Sequence, residues 1–254
     1  MSFACLREAP PPKALCGGQA LRRRQGYWHL IFKSMGLQNV RAVIFDFDGT
    51  LAVLNIDFSL MRERIMALIR RFGVDEGTIK ERYLLEMIDE VYPMLWKENA
   101  SSAEEFYERA HQILHEVELR AADEGRLIPG AGETLRMLRQ QGLKVGIITR
   151  NCEEAVRRVF PTIDEYCDVF MSRDSVEKVK PHPDHLNSVL EALQVSGEEA
   201  VIVGDHTLDI QAGKRVGMKT IGVLTGRIKR EEFNEAGANY ILRDATEVWG
   251  LLKE

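Results

Sequence analysis

The chain has 254 residues, 45% hydrophobic and 29% charged, which suits one large globular domain or a domain carrying an insertion. A net charge of −5 leaves no basic footprint for nucleic acid, and no apolar run approaches the length of a membrane span. The four cysteines, Cys5, Cys16, Cys152 and Cys167, lack paired metal-ligand spacing and are too few for a disulfide scaffold, so free thiols in a reducing cytoplasm are expected.

Residues 1–34 contain Pro10-Pro11-Pro12, Gly17-Gly18 and Arg22-Arg23-Arg24, without a sustained period. They carry +5, so with −5 for the whole chain the remainder is −10. A disordered or spurious extension ahead of Met35 is the first reading. A targeting peptide, basic and nearly free of acids but without serine enrichment, is the second. A basic arm touching nucleic acid is the third. Residues 1–38 are set apart from the folded core on this basis.

Val43-Ile44-Phe45 leads into Asp46-Phe47-Asp48-Gly49-Thr50. The apolar, partly β-branched run predicts a strand buried on both faces. Asp46 then falls at its tip, with Asp48 just beyond and Gly49 permitting a sharp turn. An ordinary Asp-Gly turn after a strand is the plain alternative. Two carboxylates this close call for a cation or donors to offset their repulsion.

After Thr50 the period changes. Asp57 or Ser59 can cap a helix with Met61, Ile65, Leu68, Ile69 and Phe72 on one face, stopped by Gly73. Ile79, Tyr83, Met87, Ile88, Val91 and Leu95 suggest a second helix, which Pro93 should kink or end. A third starts near Ser101 or Ser102 and uses Phe106, Ala110, Ile113, Leu114 and Val117. Residues 56–128 are therefore expected to be helical and strand-free, a small bundle inserted between the core segments 39–55 and 129–254.

From Pro129-Gly130 helices and strands alternate. A helix over 131–141 ends at Gly142, and Leu143–Ile148 form a strand tipped by Thr149-Arg150-Asn151. Asn151 is the expected N-cap of a helix over 152–159. A short strand, Asp168–Met171, leads to Lys180-Pro181-His182-Pro183-Asp184 and a helix over 184–194. Strand Ala200–Val203 ends in Gly204-Asp205, followed by a helix over 207–216, strand Thr220–Leu224, and a closing pair over Asn239–Leu242 and 245–252. This alternation predicts an α/β fold with a doubly wound parallel sheet and right-handed crossovers.

Parallel strands bring their carboxyl ends to one edge, so Asp46, Asp48, Thr149, Asp205 and Asp209 should meet there, with Lys180 from a loop. Such an acidic set suits a hard cation, and Thr149 and Lys180 offer a phosphoryl group a hydroxyl and a positive charge. In register, Asp46-Phe47-Asp48-Gly49-Thr50, Thr149, Lys180 before Pro181, and Gly204-Asp205 with Asp209 resemble the four motifs of the haloacid dehalogenase superfamily of phosphohydrolases. The resemblance spans residue 41 to about 226, and the helical insert looks like the cap domain of the first type found in phosphoglycolate phosphatase-like members.

That resemblance implies a Rossmann-like core and a Mg2+-dependent phosphatase acting on a small phosphorylated metabolite. It makes Asp46 the nucleophile forming an aspartyl-phosphate, and Asp48 the acid that protonates the leaving oxygen and then activates water. Mg2+ would take the Asp46 carboxylate, the Asp48 backbone carbonyl and Asp205, with Asp209 orienting water or Lys180. Thr149 and the amides of Arg150 and Asn151 would hold phosphate oxygens. The chain departs from the common family pattern at His206, where a small hydroxyl residue is usual, and over Leu51–Asp57. Both flank the pocket and bear on substrate identity.

A sugar phosphomutase uses the same residues, a dehalogenase would need neither Asp48 nor a metal, and a non-catalytic phosphate-binding regulator would not need Asp46. His182 and His185 read as loop and helix-start residues rather than metal ligands, and Asp57 and Arg62 as a solvated helix face. A monomer or homodimer is expected, with neither nucleic acid nor membrane as a partner.

Overall fold

The computed structural model describes residue 37 and residues 39–252. The reading of residues 1–38 as an extension therefore falls almost wholly outside the described residues. Val40–Gly250 forms one compact unit, which holds the sheet, the helical insert and the site.

β1 (Ala42–Asp46) is buried along its whole length. It lies between β4 (Lys144–Ile148) and β6 (Ala200–Gly204). β5 (Val169–Met171) pairs with the outer side of β4, β7 (Lys219–Val223) with β6, and β8 (Tyr240–Leu242) with β7, all parallel. Ala42 stands opposite both Lys144 and Ala200, and Phe45 opposite Ile147 and Val203, so the three central strands end level. The chain builds outward through β4 and β5 on one side of β1 and then through β6, β7 and β8 on the other. A crevice opens at the carboxyl ends of the strands where the winding reverses.

Between β4 and β5 runs α5 (Glu153–Val159), and α4 (Ala131–Gln140) precedes β4. α6 (Pro183–Leu193) and α7 (Thr207–Arg215) cover one face of the sheet, where Ile44, Ile148 and Ile202 pack against Leu186, Val189, Leu193 and Ala212. Withdrawing one such isoleucine from water contributes about 1.5–3 kcal/mol. α8 (Arg230–Ala236) was not anticipated: of its seven residues Phe233 alone is a large apolar one, so no period marks it. α9 (Val248–Leu252) is the last described helix.

Between Val53 and Arg126 the chain is helical, in α1 (Phe58–Arg71), α2 (Leu84–Glu98) and α3 (Ala100–Asp123). Asp57 caps α1, its Oδ1 accepting from the Leu60 amide at 2.9 Å, and Met61, Ile65, Leu68 and Ile69 are buried as their spacing predicts. Pro93 does not end the helix, and α2 continues through it to Glu98. Proline removes one backbone hydrogen bond, worth about 1 kcal/mol, while Met87, Ile88, Val91 and Leu95 bury on both sides of it. Ile79 and Tyr83 precede α2 in extended backbone rather than joining it. α3 begins at Ala100, next to the expected Ser101, with Asn99 as its cap accepting from Ser102 N at 3.2 Å.

Residues 56–128 are not strand-free. β3 (Arg126–Leu127) pairs antiparallel with β2 (Ala52–Val53), and Ile128 N donates to Leu51 O at 2.8 Å. The chain leaves and re-enters the core at one place, so its two stems run side by side and satisfy each other's backbone groups. Two residues per strand are too few to show alternation in the sequence. Asn151 does not cap α5 either; Cys152 holds that position without a side-chain bond. Among the described residues no helix is long and apolar enough to cross a membrane.

Candidate active site

β1 delivers Asp46 to the crevice, and the next residues fold back on themselves. The amides of Leu51 and Ala52 both donate to Phe47 O at 2.9 Å, and Gly49 N donates to Ala52 O at 2.7 Å. Gly49 has φ +79°, and a Cβ there would lie 2.2 Å from Asp205 Oδ2. Both the backbone twist and the approach of that carboxylate therefore require glycine. The turn fixes Asp48, whose Oδ1 accepts from Leu54 N at 2.9 Å.

Lys180 arrives from the loop before α6 and is 3% exposed. Its Nζ lies 2.5 Å from Asp46 Oδ1 and 2.6 Å from Asp209 Oδ1, and Asp209 Oδ2 accepts from His206 N at 3.1 Å. Asp209 is thereby committed with both oxygens and anchors the lysine, as expected of it. Oxygens of Asp46, Asp205 and Asp209 lie within 4.8 Å of one another. Asp48 joins this group electrostatically, since its charge reaches Asp205.

Lys180 bonds two of these four carboxylates, and crowding in a buried site raises the proton affinity of Asp46, Asp48 and Asp205. Burial pushes Asp46 up to about 6, against the pull of Lys180 and with the push of Asp209. Burial also raises Asp48, partly offset by the Leu54 and Gly49 amides. Asp205 is raised well above the carboxylate range by burial and then by Asp46, Asp209 and Asp48. The donor set fits a hard divalent cation: oxygen-only, with surplus negative charge, and with Asp46 and Asp205 less committed than Asp209.

Thr149, 1% exposed at the end of β4, donates its amide to Met171 O at 3.1 Å, and its Oγ1 accepts from Asn151 N at 3.1 Å. The Asn151 amide is thus engaged by Thr149, whereas its buried Nδ2 has no partner among the described residues. The Arg150 side chain turns away toward α2, where Nη1 and Nη2 each lie 2.7 Å from a Glu86 oxygen; Nη1 also donates to Lys180 O.

His185 is fully buried, with Nδ1 3.4 Å from Lys180 N and Nε2 3.2 Å from Met171 O. It supports the lysine loop, and burial together with the Lys180 charge lowers it to about 4. His182 caps α6, and Arg62 Nη1 donates to Arg82 O at 3.0 Å. These residues serve local structure, as the sequence suggests.

Three groups at this edge were not foreseen. From the insert, Glu86 meets Arg150, and the Tyr83 ring lies 6.0 Å from His206. On α3, Glu118 pairs with Arg173 at 2.6 Å and accepts from Cys152 N at 2.9 Å, so this ion pair, 4% and 8% exposed, binds the insert to the loops after β4 and β5. After β7, Thr225 Oγ1 donates to Gly49 O, and Gly226 packs so tightly that a Cβ would fall 1.9 Å from Asp205 Oδ2. A Thr-Gly pair shortly after the tip of a parallel strand, with Gly226 three residues beyond Val223, was the available signal for this last group. Glu118 on the apolar stripe of α3 was the signal for the ion pair.

Comparison with known proteins agrees with this geometry. The family model described as haloacid dehalogenase-like hydrolase matches residues 43–223. Pyrophosphatase PpaX of Bacillus mycoides is 30% identical over 219 residues, covering 84% of this chain and 97% of that protein. A HAD phosphatase from Thermococcus onnurineus superposes with a TM-score of 0.55 at 25% identity, covering 84% of this chain and 98% of the other. A Thermotoga maritima protein assigned as a beta-phosphoglucomutase gives 0.54 at 27% identity, covering 84% and 99%.

Proposed function

The chain belongs to the haloacid dehalogenase-like hydrolase family, as a phosphoric monoester hydrolase, and from that premise we propose a Mg2+-dependent phosphatase that cleaves a small phosphate monoester, of phosphoglycolate or sugar-phosphate type, through an aspartyl-phosphate on Asp46. The observation that carries this reading is Lys180, buried between Asp46 and Asp209 where β1 and β6 end. A buried lysine clamping one strand-tip carboxylate holds a nucleophile in a fixed direction. The insert over residues 56–128 is read as a cap domain over this site.

Asp46 attacks phosphorus with the oxygen not clamped by Lys180, forming a carboxylate–phosphorus bond as the bond to the leaving alcohol oxygen breaks. Asp48, its carboxyl raised by burial, gives its proton to that oxygen. In the second half, Asp48 takes a proton from water, the water oxygen attacks phosphorus, and Asp46 departs as carboxylate. Thr149 and Asn151 orient the non-bridging phosphate oxygens, and Lys180 offsets their charge. Asp46, Asp205 and the Asp48 carbonyl would hold Mg2+, which when bound neutralises the carboxylates and the phosphoryl group. Location in the cytoplasm is part of the proposal, and the described cysteines, Cys152 and Cys167, are buried free thiols.

The likeness to the Thermotoga protein supports a phosphomutase as the second reading, since that chemistry uses the same carboxylates and differs in what the cap admits in place of water. Phosphate release from a panel of phosphorylated metabolites, with pyrophosphate included because of the Bacillus relatives, tests both. Mg2+-dependent release lost in Asp46→Asn supports the phosphatase. Transfer of phosphate between sugar hydroxyls without release supports the mutase, and activity retained by Asp46→Asn removes both.

A further inference from the structure

Lys180, Arg150 and Arg227 bring positive charge to the carboxyl edge around the acid cluster, and two of them are spent. Lys180 is shared between Asp46 and Asp209, and Arg150 is taken by Glu86 and the Lys180 carbonyl. Arg227 differs. Among the described residues its guanidinium has no carboxylate at ion-pair distance; its carbon sits 5.8 Å from the centroid of the Phe58 ring, which is 48% exposed at the start of α1.

The position is not remote from the chemistry. Arg227 directly follows Gly226, which lies against Asp205, and Thr225, whose hydroxyl donates to Gly49 O. Its charge is felt at Asp48. Asp209 is already held by Lys180 and His206 N, and Asp48 Oδ1 accepts from Leu54 N, while the Arg227 guanidinium lies over Phe58. What remains is a planar five-donor fork, steadied over an aromatic ring, beside a site for a phosphoryl group. That fork matches a carboxylate or a phosphate two bonds at a time.

We propose that Arg227 is the specificity-determining residue of this site, binding a second anionic group, carboxylate or phosphoryl, at the non-reacting end of the substrate. The inference rests on the phosphatase reading of the acid cluster and narrows it to substrates that are anionic at both ends. Arg150, next to the Thr149 tip, does not have this role because Glu86 already occupies its fork.

Calorimetric titration of the full chain in MgCl2 with methylphosphonate, phosphonoacetate and methylenediphosphonate tests it. Wild type should bind one or both of the doubly anionic probes roughly tenfold more tightly than methylphosphonate, as a charge-assisted pair supplies. In Arg227→Ala that ratio should fall toward one, and Arg227→Lys should keep part of it. Phosphonoacetate and methylenediphosphonate separate a carboxylate from a phosphoryl preference. A ratio near one in wild type, or one that survives Arg227→Ala, overturns the role of Arg227 while leaving the phosphate site standing. Failure of wild type to bind any of the three overturns the phosphate site, and this inference with it.

Discussion

Arg150 and Glu86 form a two-pronged ion pair, each guanidinium nitrogen 2.7 Å from its own carboxylate oxygen, that joins the loop after β4 to α2 of the helical insert. Residues 64 positions apart thus tie the carboxyl edge of the sheet to the helical insert. The pair is 19% and 25% exposed, between the surface pairs that contribute almost nothing and the buried ones that are costly to break. A double-mutant cycle with Glu86→Gln and Arg150→Gln should give a coupling of about 1–3 kcal/mol in urea unfolding. A coupling indistinguishable from zero would show that this pair does not help hold the insert to the loop after β4.

Asp48 is assigned two jobs that fall in different steps, and they can be separated. With p-nitrophenyl phosphate the leaving group needs no proton, so Asp48→Asn should form the phosphoenzyme and discharge it slowly. Stopped-flow absorbance should then show a burst of nitrophenol near one equivalent per site and a slow steady state. An alkyl phosphate should show no burst. Equal losses on both substrates, without trapped phosphoenzyme, would withdraw the acid-base role.

Bound Mg2+ should stabilise the fold by relieving repulsion among Asp46, Asp48, Asp205 and Asp209. At a concentration 100 times its dissociation constant, a single-site ligand adds about 2.7 kcal/mol. Melting with and without MgCl2 should show a rise in Tm for wild type and little or none for Asp205→Asn. An unchanged Tm in wild type under saturating MgCl2 would remove the metal from the mechanism.

His111 on α3 gives the fold an acid-sensitive point away from the site. Burial, with the Arg173 charge, holds it down to about 4, and its Nε2 has no partner among the described residues. The unfolded chain therefore takes up a proton near pH 6.5 that the folded chain refuses until about 4. Its contribution is complete above the unfolded value and is lost as pH falls toward 4. Comparing Tm at pH 7 and pH 5 for wild type and His111→Gln should show a smaller acid loss in the variant. Equal losses in both would place the acid sensitivity elsewhere.

The strand-and-turn pattern of residues 43–50 carries its own signals: an apolar run too uniform for an exposed strand, then carboxylates and a glycine that no interior strand tolerates. With the β/α alternation after Pro129, these are sufficient to place Asp46, Asp48, Thr149, Lys180, Asp205 and Asp209 at one edge, because parallel strands end on the same side. Local signals of this kind survive in sequence, since each depends on neighbours within a few positions. The short paired stems at Ala52–Val53 and Arg126–Leu127 and the seven-residue α8 are too brief for any period to show. The rest belongs to tertiary structure. Pro93 stays inside a helix because apolar burial on both sides outweighs one missing hydrogen bond. The Arg150 side chain turns to the insert because Glu86, far away in the chain, lies within reach of both its nitrogens. Arg227 stays available because its guanidinium lies over the Phe58 ring, with no carboxylate of the described residues at ion-pair distance. Which charge meets which is decided by competition among long side chains in space, and sequence spacing does not record it.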